Sequence, residues 1–157
     1  VGKRLLQFER SGIGGLSGGA RPSEAGTSLP EIAKQYVGEA SGRISDPAIR
    51  EKVTTLNMNR ASFRLTAQRA NAENKSGTPG AATSIFKLYG AALQQDGAEL
   101  KRELMGFQGL GAQGDGFSDF ELTTVEEWLQ TKTTTIYGGS NEIQANIIAK
   151  RVLGLPE

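Results

Sequence analysis

Between Ile49 and Ala70 the chain repeats by fours and threes, placing Ile49, Val53, Leu56, Arg60, Phe63, Ala67 and Ala70 in one row. Side chains at that spacing share one side of a 3.6-residue helix, so the stretch can bury its stripe only against other elements. Asp46 and Pro47 stand just ahead of the row and suit an N-cap and a first-turn residue. The pattern predicts the longest helix, from Asp46-Pro47 to Asn74, with Gly77 ending it. No stretch of useful length alternates with the period of a strand. The expected fold is therefore all-α, an antiparallel up-and-down helical bundle without a sheet and with the 46–74 helix at its centre. Arg60 interrupts the stripe and needs a partner if it is buried.

Five shorter segments fit the same picture. Leu5, Leu6, Phe8, Ile13 and Leu16 give a helix from residue 3 to about 18, and Pro30 suits the first turn of another from Leu29 to about Ser41. Ala82 to about Met105 predicts a third, after a turn at Pro79-Gly80, and Thr124 to Lys132 a short fourth. The last begins after Gly138-Gly139. Ser140 or Asn141 can cap it, Gln144 sits at box spacing from Asn141, and Gly154 and Pro156 stop it. Ile143, Ile147, Ile148 and Val152 form its apolar side. Residues 17–28 and the glycine-rich run before Phe120 read as loops. The whole, 1–157, is one helical-bundle domain.

The charge balance, 18 basic against 17 acidic residues, recommends neither nucleic acid nor an acidic membrane as partner. With neither cysteine nor histidine, the chain lacks thiolate nucleophiles, imidazole bases and the usual zinc ligands. A general base must then be a carboxylate, a lysine or a tyrosine, and no metal site is expected. No run reaches the length of a membrane span and no signal peptide is visible, so the expected location is cytoplasmic. Two features are open to more than one reading. Glu9 falls within the apolar stripe of the first helix, between Ile13 and Leu16 and one turn above Leu5. It is either a carboxylate reaching out to water, Arg10 or Lys3, or a desolvated base. Gly138-Gly139 is either a plain capped turn or a place where backbone lies close to a ligand.

Ile136-Tyr137-Gly138-Gly139-Ser140-Asn141-Glu142-Ile143-Gln144 resembles the C-terminal flavin-contacting motif of acyl-CoA dehydrogenases. The run from Ile147 to Leu155 is similar to the helix that follows it there. Ser84-Ile85-Phe86-Lys87 and Ala67-Gln68-Arg69-Ala70 resemble two long helices of the same domain, and Leu5-Leu6-Gln7-Phe8-Glu9-Arg10 its first. The likeness covers nearly the whole chain, but only the family's C-terminal domain, so it implies a longer flavoenzyme with a helical and a β-domain upstream. It implies FAD as cofactor, with Tyr137, Gly139, Ser140, Asn141 and Glu142 at the flavin, and Glu103 and Gly106 at the adenine end of the flavin of a neighbouring subunit. It implies α,β-desaturation of an acyl-CoA thioester, with Glu9 as the catalytic base and Arg10, Gly138 and Gly139 near the substrate. Electron-transferring flavoprotein is the implied acceptor and a homodimer, homotetramer or hetero-oligomer the implied assembly.

Several positions depart from the family pattern. Gly138 stands where medium-chain-type members carry their base, and Glu9 fills the alternative, isovaleryl-type position. Glu103 replaces a glutamine and Phe107 a glycine in the glycine-rich corner. The Arg-x-x-Phe-Gly element is absent, with Gly42-Arg43 its nearest counterpart. Two further readings follow: a non-catalytic subunit completing a partner's flavin site, or an acyl-CoA oxidase or flavin monooxygenase relative.

Overall fold

The computed structural model describes residues 28–73 and 82–156. In chain order these form α1 (Leu29–Tyr36), β1 (Glu39–Ala40), β2 (Arg43–Ile44), α2 (Pro47–Glu73) and α3 (Ala82–Leu104), then a 3₁₀ turn (Gly106–Leu110). α4 (Asp119–Thr131) follows, with a 3₁₀ turn (Lys132–Thr135), α5 (Asn141–Ile147) and a closing π-helical turn (Ile148–Val152). The expected helix over residues 3–18, with Glu9 and Arg10, lies outside the described residues.

The helix starts follow from side-chain chemistry. Asp46 Oδ1 accepts from the amides of Ala48 and Ile49, at 2.7 and 3.1 Å, and Pro47 leads α2. At α1 the Glu31 carboxylate returns to the Ser28 amide at 2.7 Å. Cross-helix pairs fix the topology. Lys52 pairs with Glu103, Arg60 lies against Gly97, and Phe63 meets Phe86 and Tyr89 edge-on at 5.8 Å. As numbers rise along α2 they fall along α3, so the two run antiparallel. Gln95 with Thr131 and Glu99 with Trp128 show the same for α3 and α4.

α3 is the element that α1, α2, α4 and α5 all touch. The core lies where α1 seats between α2 and α3, built from Ile32, Ala33, Ile44, Val53, Leu56, Leu93, Leu100 and Leu104. The predicted seam of α2 is its inward side, with Val53 and Leu56 buried and Ile49, Phe63, Ala67 and Ala70 half-buried. Arg60 is accommodated by the partner helix: a Cβ on Gly97 would meet its Nη2 at 1.7 Å, and Asp96 supplies the opposing charge. Burial pulls the guanidinium below its ordinary value, against the pull of Asp96.

Three expectations are corrected. The helix expected to run to Ser41 stops at Tyr36. Gly38, at φ +109°, turns the chain into a two-residue hairpin ladder pairing Glu39 with Ile44 and Ala40 with Arg43. Ser41 and Gly42 both have positive φ, the geometry that lets a two-residue turn match strand twist. The bundle thus carries a minimal sheet where none was expected. The helix expected from Thr124 starts at Asp119, because Ser118 caps it: the Ser118 amide donates to Glu121 Oε2 at 2.7 Å, and the Glu121 amide to Ser118 Oγ at 3.3 Å. The final helix becomes π-helical from Ile148, and its apolar side is divided: Ile147 and Ile148 are half-buried, Ile143 and Val152 are exposed, and Gln144 is buried.

Candidate functional site

The segment from Tyr137 to Glu142 is a tight loop leading into α5. Its backbone turns through two positive-φ glycines, Gly138 at +70° and Gly139 at +101°. Ser140 is the N-cap, with extended backbone, and its carbonyl accepts from the Gln144 amide at 3.0 Å. Gln144 does not box with Asn141. Its side chain is almost completely buried and Nε2 donates to the Gly138 carbonyl at 3.0 Å, so the helix holds the loop by its glycine backbone. That contact also explains Gly139, since a Cβ there would lie 2.8 Å from Gln144 Nε2. Gly139 is required by the loop itself, whatever approaches from outside.

The polar groups of the loop are arranged around Glu142. Its carboxylate is exposed and held below the usual carboxylate range, first by the Ser140 side chain and then by a backbone N–H, with Lys87 adding a favourable charge. Lys87, from the second turn of α3, is buried, and its Nζ has no hydrogen-bond partner. Burial pushes its pKa down, opposed by Glu142. Asn141 Oδ1 is likewise buried without a partner. Tyr137 is exposed. Buried donors and acceptors are nearly always paired in folded proteins, so the unsatisfied Asn141 Oδ1 marks a place on the loop where a donor from outside belongs. A polar cofactor edge fits this set: glycine backbone, a hydroxyl, an amide oxygen and a carboxylate.

The structure brings together Tyr137, Gly138, Gly139, Ser140, Asn141 and Glu142. It does not bring Glu103 and Gly106 to them. Lys87 marks the loop's place near the start of α3, and Glu103 sits at its far end, roughly 24 Å along the helix at 1.5 Å per residue. There Glu103 pairs with Lys52, Gly106 has φ +56° with open space around it, and Phe107 projects, 89% exposed. One loop of this chain and the other corner cannot serve the same end of one ligand. An open groove on α4, lined by residues including Asp119, Leu122, Val125, Glu126 and Leu129, contains none of these residues. Among the described residues no group of acidic side chains has metal-binding geometry, and no helix is long and apolar enough to cross a membrane.

Sequence reasoning missed two residues of the site. The spacing from Asn141 assigns Gln144 to capping, and Lys87 enters the sequence reading only within Ser84-Ile85-Phe86-Lys87. The available signal for Lys87 was its place on α3, three residues after Ser84 and four before Ala91, the row that proves buried.

A helical bundle built on α3, with a Gly-Gly loop packed at one end of it, defines a class that the comparisons identify. The family model described as "Acyl-CoA dehydrogenase, C-terminal domain" matches residues 3–153. The chain belongs to that family. It is similar to the acyl-CoA dehydrogenase IpdE1 of Mycolicibacterium smegmatis, 32% identical over 156 residues, covering 99% of this chain and 36% of that protein. It is similar too to IpdE1 of Mycobacterium tuberculosis, 33% identical over 160 residues, covering 99% of this chain and 38% of the relative. The chain thus spans little more than a third of these relatives. Among solved structures, the ChsE4–ChsE5 complex of Mycobacterium tuberculosis matches with a TM-score of 0.66 at 20% identity, over 83% of this chain and 34% of that one. That likeness is one of fold.

Proposed function

We propose that this chain is the C-terminal domain of an FAD-dependent acyl-CoA dehydrogenase that desaturates an acyl-CoA thioester between its α and β carbons. The observation that carries the reading is the Tyr137–Glu142 loop, where the buried, unsatisfied Asn141 Oδ1 calls for an external polar group in a chain of this family. Gly139, Ser140, Asn141 and Glu142, with Tyr137 beside them, would hold the flavin. Glu103 and Gly106, at the other end of α3, would meet the flavin of a second subunit, which accounts for their separation from the loop. Bound flavin supplies the acceptor for the β-hydride.

The chain's own contribution to the chemistry is the proton. Gly138, beside the substrate, has no side chain to accept one, and the chain has no imidazole. Glu9, followed by Arg10 and set by helical spacing on one stripe with Leu5, Ile13 and Leu16, would be the carboxylate that takes the α-proton, and desolvation in the assembled enzyme would raise its basicity. Electron-transferring flavoprotein would reoxidise the enzyme. In the full-length protein, E9Q keeps shape and hydrogen bonding but cannot accept the proton. It should retain flavin and lose about 10² to 10⁴ in the rate of flavin reduction by acyl-CoA. Reduction at the wild-type rate would remove Glu9 from this role.

A second reading is favoured by the far corner. Glu103 is engaged by Lys52 where the family's motif has a glutamine, and Phe107 fills a glycine position. In that reading the chain is a non-catalytic subunit that completes a partner's flavin site in a hetero-oligomer, and E9Q leaves flavin reduction by acyl-CoA unchanged.

A further inference from the structure

Of the four carboxylates of α4, two are engaged inside the chain. Glu121 takes the Tyr36 hydroxyl and the Ser118 amide, and Glu127 pairs with Lys101 at 3.1 Å. Asp119 and Glu126 make no ion pair among the described residues. Asp119 suits the start of a helix, where a negative charge meets the positive end of the dipole. Glu126, two turns on, has no such reason. With Leu122 and Leu129 the two stand at i, i+3, i+7 and i+10, on one side of the helix. That side lines the open groove of about 390 Å³, where Val125 is buried, Leu122 half-buried and Leu129 54% exposed. Apolar side chains between carboxylates have the make-up of a protein–protein contact, apolar in the middle and polar at the rim. A small-molecule site would enclose its ligand and converge several kinds of polar group on it.

The final segment of the chain has the opposite charge and the same apolar character. Its π-helical turn packs on α3, and the Leu153 and Leu155 amides donate to the carbonyls of Ile148 and Ala149 at 3.0 and 2.9 Å. Those bonds give the segment a fixed shape. Lys150 and Arg151 are exposed on it beside Val152, Leu153 and Leu155, which are 41%, 63% and 53% exposed. Two cations thus accompany apolar side chains here, as two carboxylates accompany them in the groove. Joining the surfaces removes apolar area from water on both sides, and the unlike charges set the register and reject a wrong face.

We propose that the groove of α4 receives the final segment of a second copy of this chain, with Lys150 and Arg151 set against Asp119 and Glu126. Each copy owns both surfaces, so a two-fold pair makes the contact twice. The contact does not depend on what the Gly138-Gly139 loop binds.

The test is a charge swap in the full-length protein, read by sedimentation over a dilution series. E126K/L129K makes the groove basic, and K150E/R151E makes the final segment acidic. Each variant alone sets like charges together and should raise the concentration at which the assembly dissociates by about tenfold or more. Mixed one to one, the two variants restore opposite charges in both contacts of the pair. The mixture should then assemble at roughly tenfold lower concentration than either variant alone. Only a contact between copies gives that recovery, since a segment seated in its own groove gains nothing from mixing. All four positions are exposed, so helical circular dichroism should not change. Where E126K/L129K does lose helix, E126K replaces it, and K150E/R151E is also read by itself. Dissociation of K150E/R151E at the wild-type concentration overturns the proposal. So does a mixture no better than its components, which would show each face covered by another surface or by its own chain. A wild-type protein that sediments as a monomer overturns it as well.

Discussion

Glu99 ties α3 to α4 with a single carboxylate. It accepts from Arg102 Nη2 at 2.7 Å, from the Trp128 indole N–H and from Lys132 Nζ at 3.2 Å. The Arg102 and Lys132 cations lie over the Trp128 ring, 4.4 and 4.7 Å from its centroid. These donors, Arg102 first and Trp128 next, hold Glu99 down to about 2 from an ordinary 4.5. A depressed carboxylate contributes stability that is complete above its unfolded pKa and is lost as pH falls through the folded one. The stability gap between wild type and E99Q should therefore be constant above about pH 5 and shrink from there toward pH 2. Trp128 fluorescence during denaturant unfolding at a series of pH values would measure it. The side chain is close to half exposed, so the gap is expected to be small and to narrow with salt. A gap that widened on acidification would contradict the assignment. None of this was visible in the sequence, because Glu99, Trp128 and Lys132 meet only once α3 and α4 pack. The same applies to Lys87, whose burial is a property of the α3–α5 contact.

Close approach between elements makes a sharper contrast at two glycines. Gly97 lies inside α3 under Arg60, and a Cβ there would meet only the tip of a long side chain. Gly109 lies in the 3₁₀ turn against the end of α3, where a Cβ would come within 2.3 Å of the Arg102 carbonyl oxygen. Alanine at Gly97 should recover up to about 1 kcal/mol of helix propensity while Arg60 moves aside. Alanine at Gly109 should cost ~1–3 kcal/mol, because backbone cannot move aside as a guanidinium can. Equal denaturation midpoints for the two variants would show that Arg60 is as fixed as the backbone. Helices announced by caps were legible in advance: Asp46-Pro47 opens α2 as its chemistry requires. Those whose ends depend on a turn were not. Tyr36 ends α1 because Gly38 and the Ser41-Gly42 turn fold back on it. Ser118 was overlooked as a cap because the glycine-rich run before it read as loop. Gln144 was misassigned because a capping-box spacing and a side chain reaching back to Gly138 look alike in one dimension.

On the scale of the whole molecule, six of the exposed large hydrophobic side chains fall in the last segment of the chain. Ile136, Tyr137, Ile143, Val152, Leu153 and Leu155 are between 41% and 69% exposed within twenty residues of sequence. The periodic isoleucines and valine give the final helix an apolar side, and within this chain Ile143 and Val152 on that side are exposed. Amphipathic pattern shows that a face is to be covered, and it does not say by which chain. The charged residues do not offset this, since among the described residues the final segment exposes three charges, Glu142, Lys150 and Arg151. The proposed assembly gives that face its cover, a second subunit packed on it. Burying a large aliphatic side chain is worth about 1.5–3 kcal/mol, and in a two-fold interface each residue counts twice. Ile143→Glu with Leu153→Glu would then place four carboxylates in the contact of a dimer. The full-length double variant should keep its helical circular dichroism, because both positions are exposed within the chain, and should sediment at lower mass than wild type at micromolar concentration. An unchanged sedimentation mass would show that this face is covered by something other than a second copy, and would remove the final segment from the assembly interface.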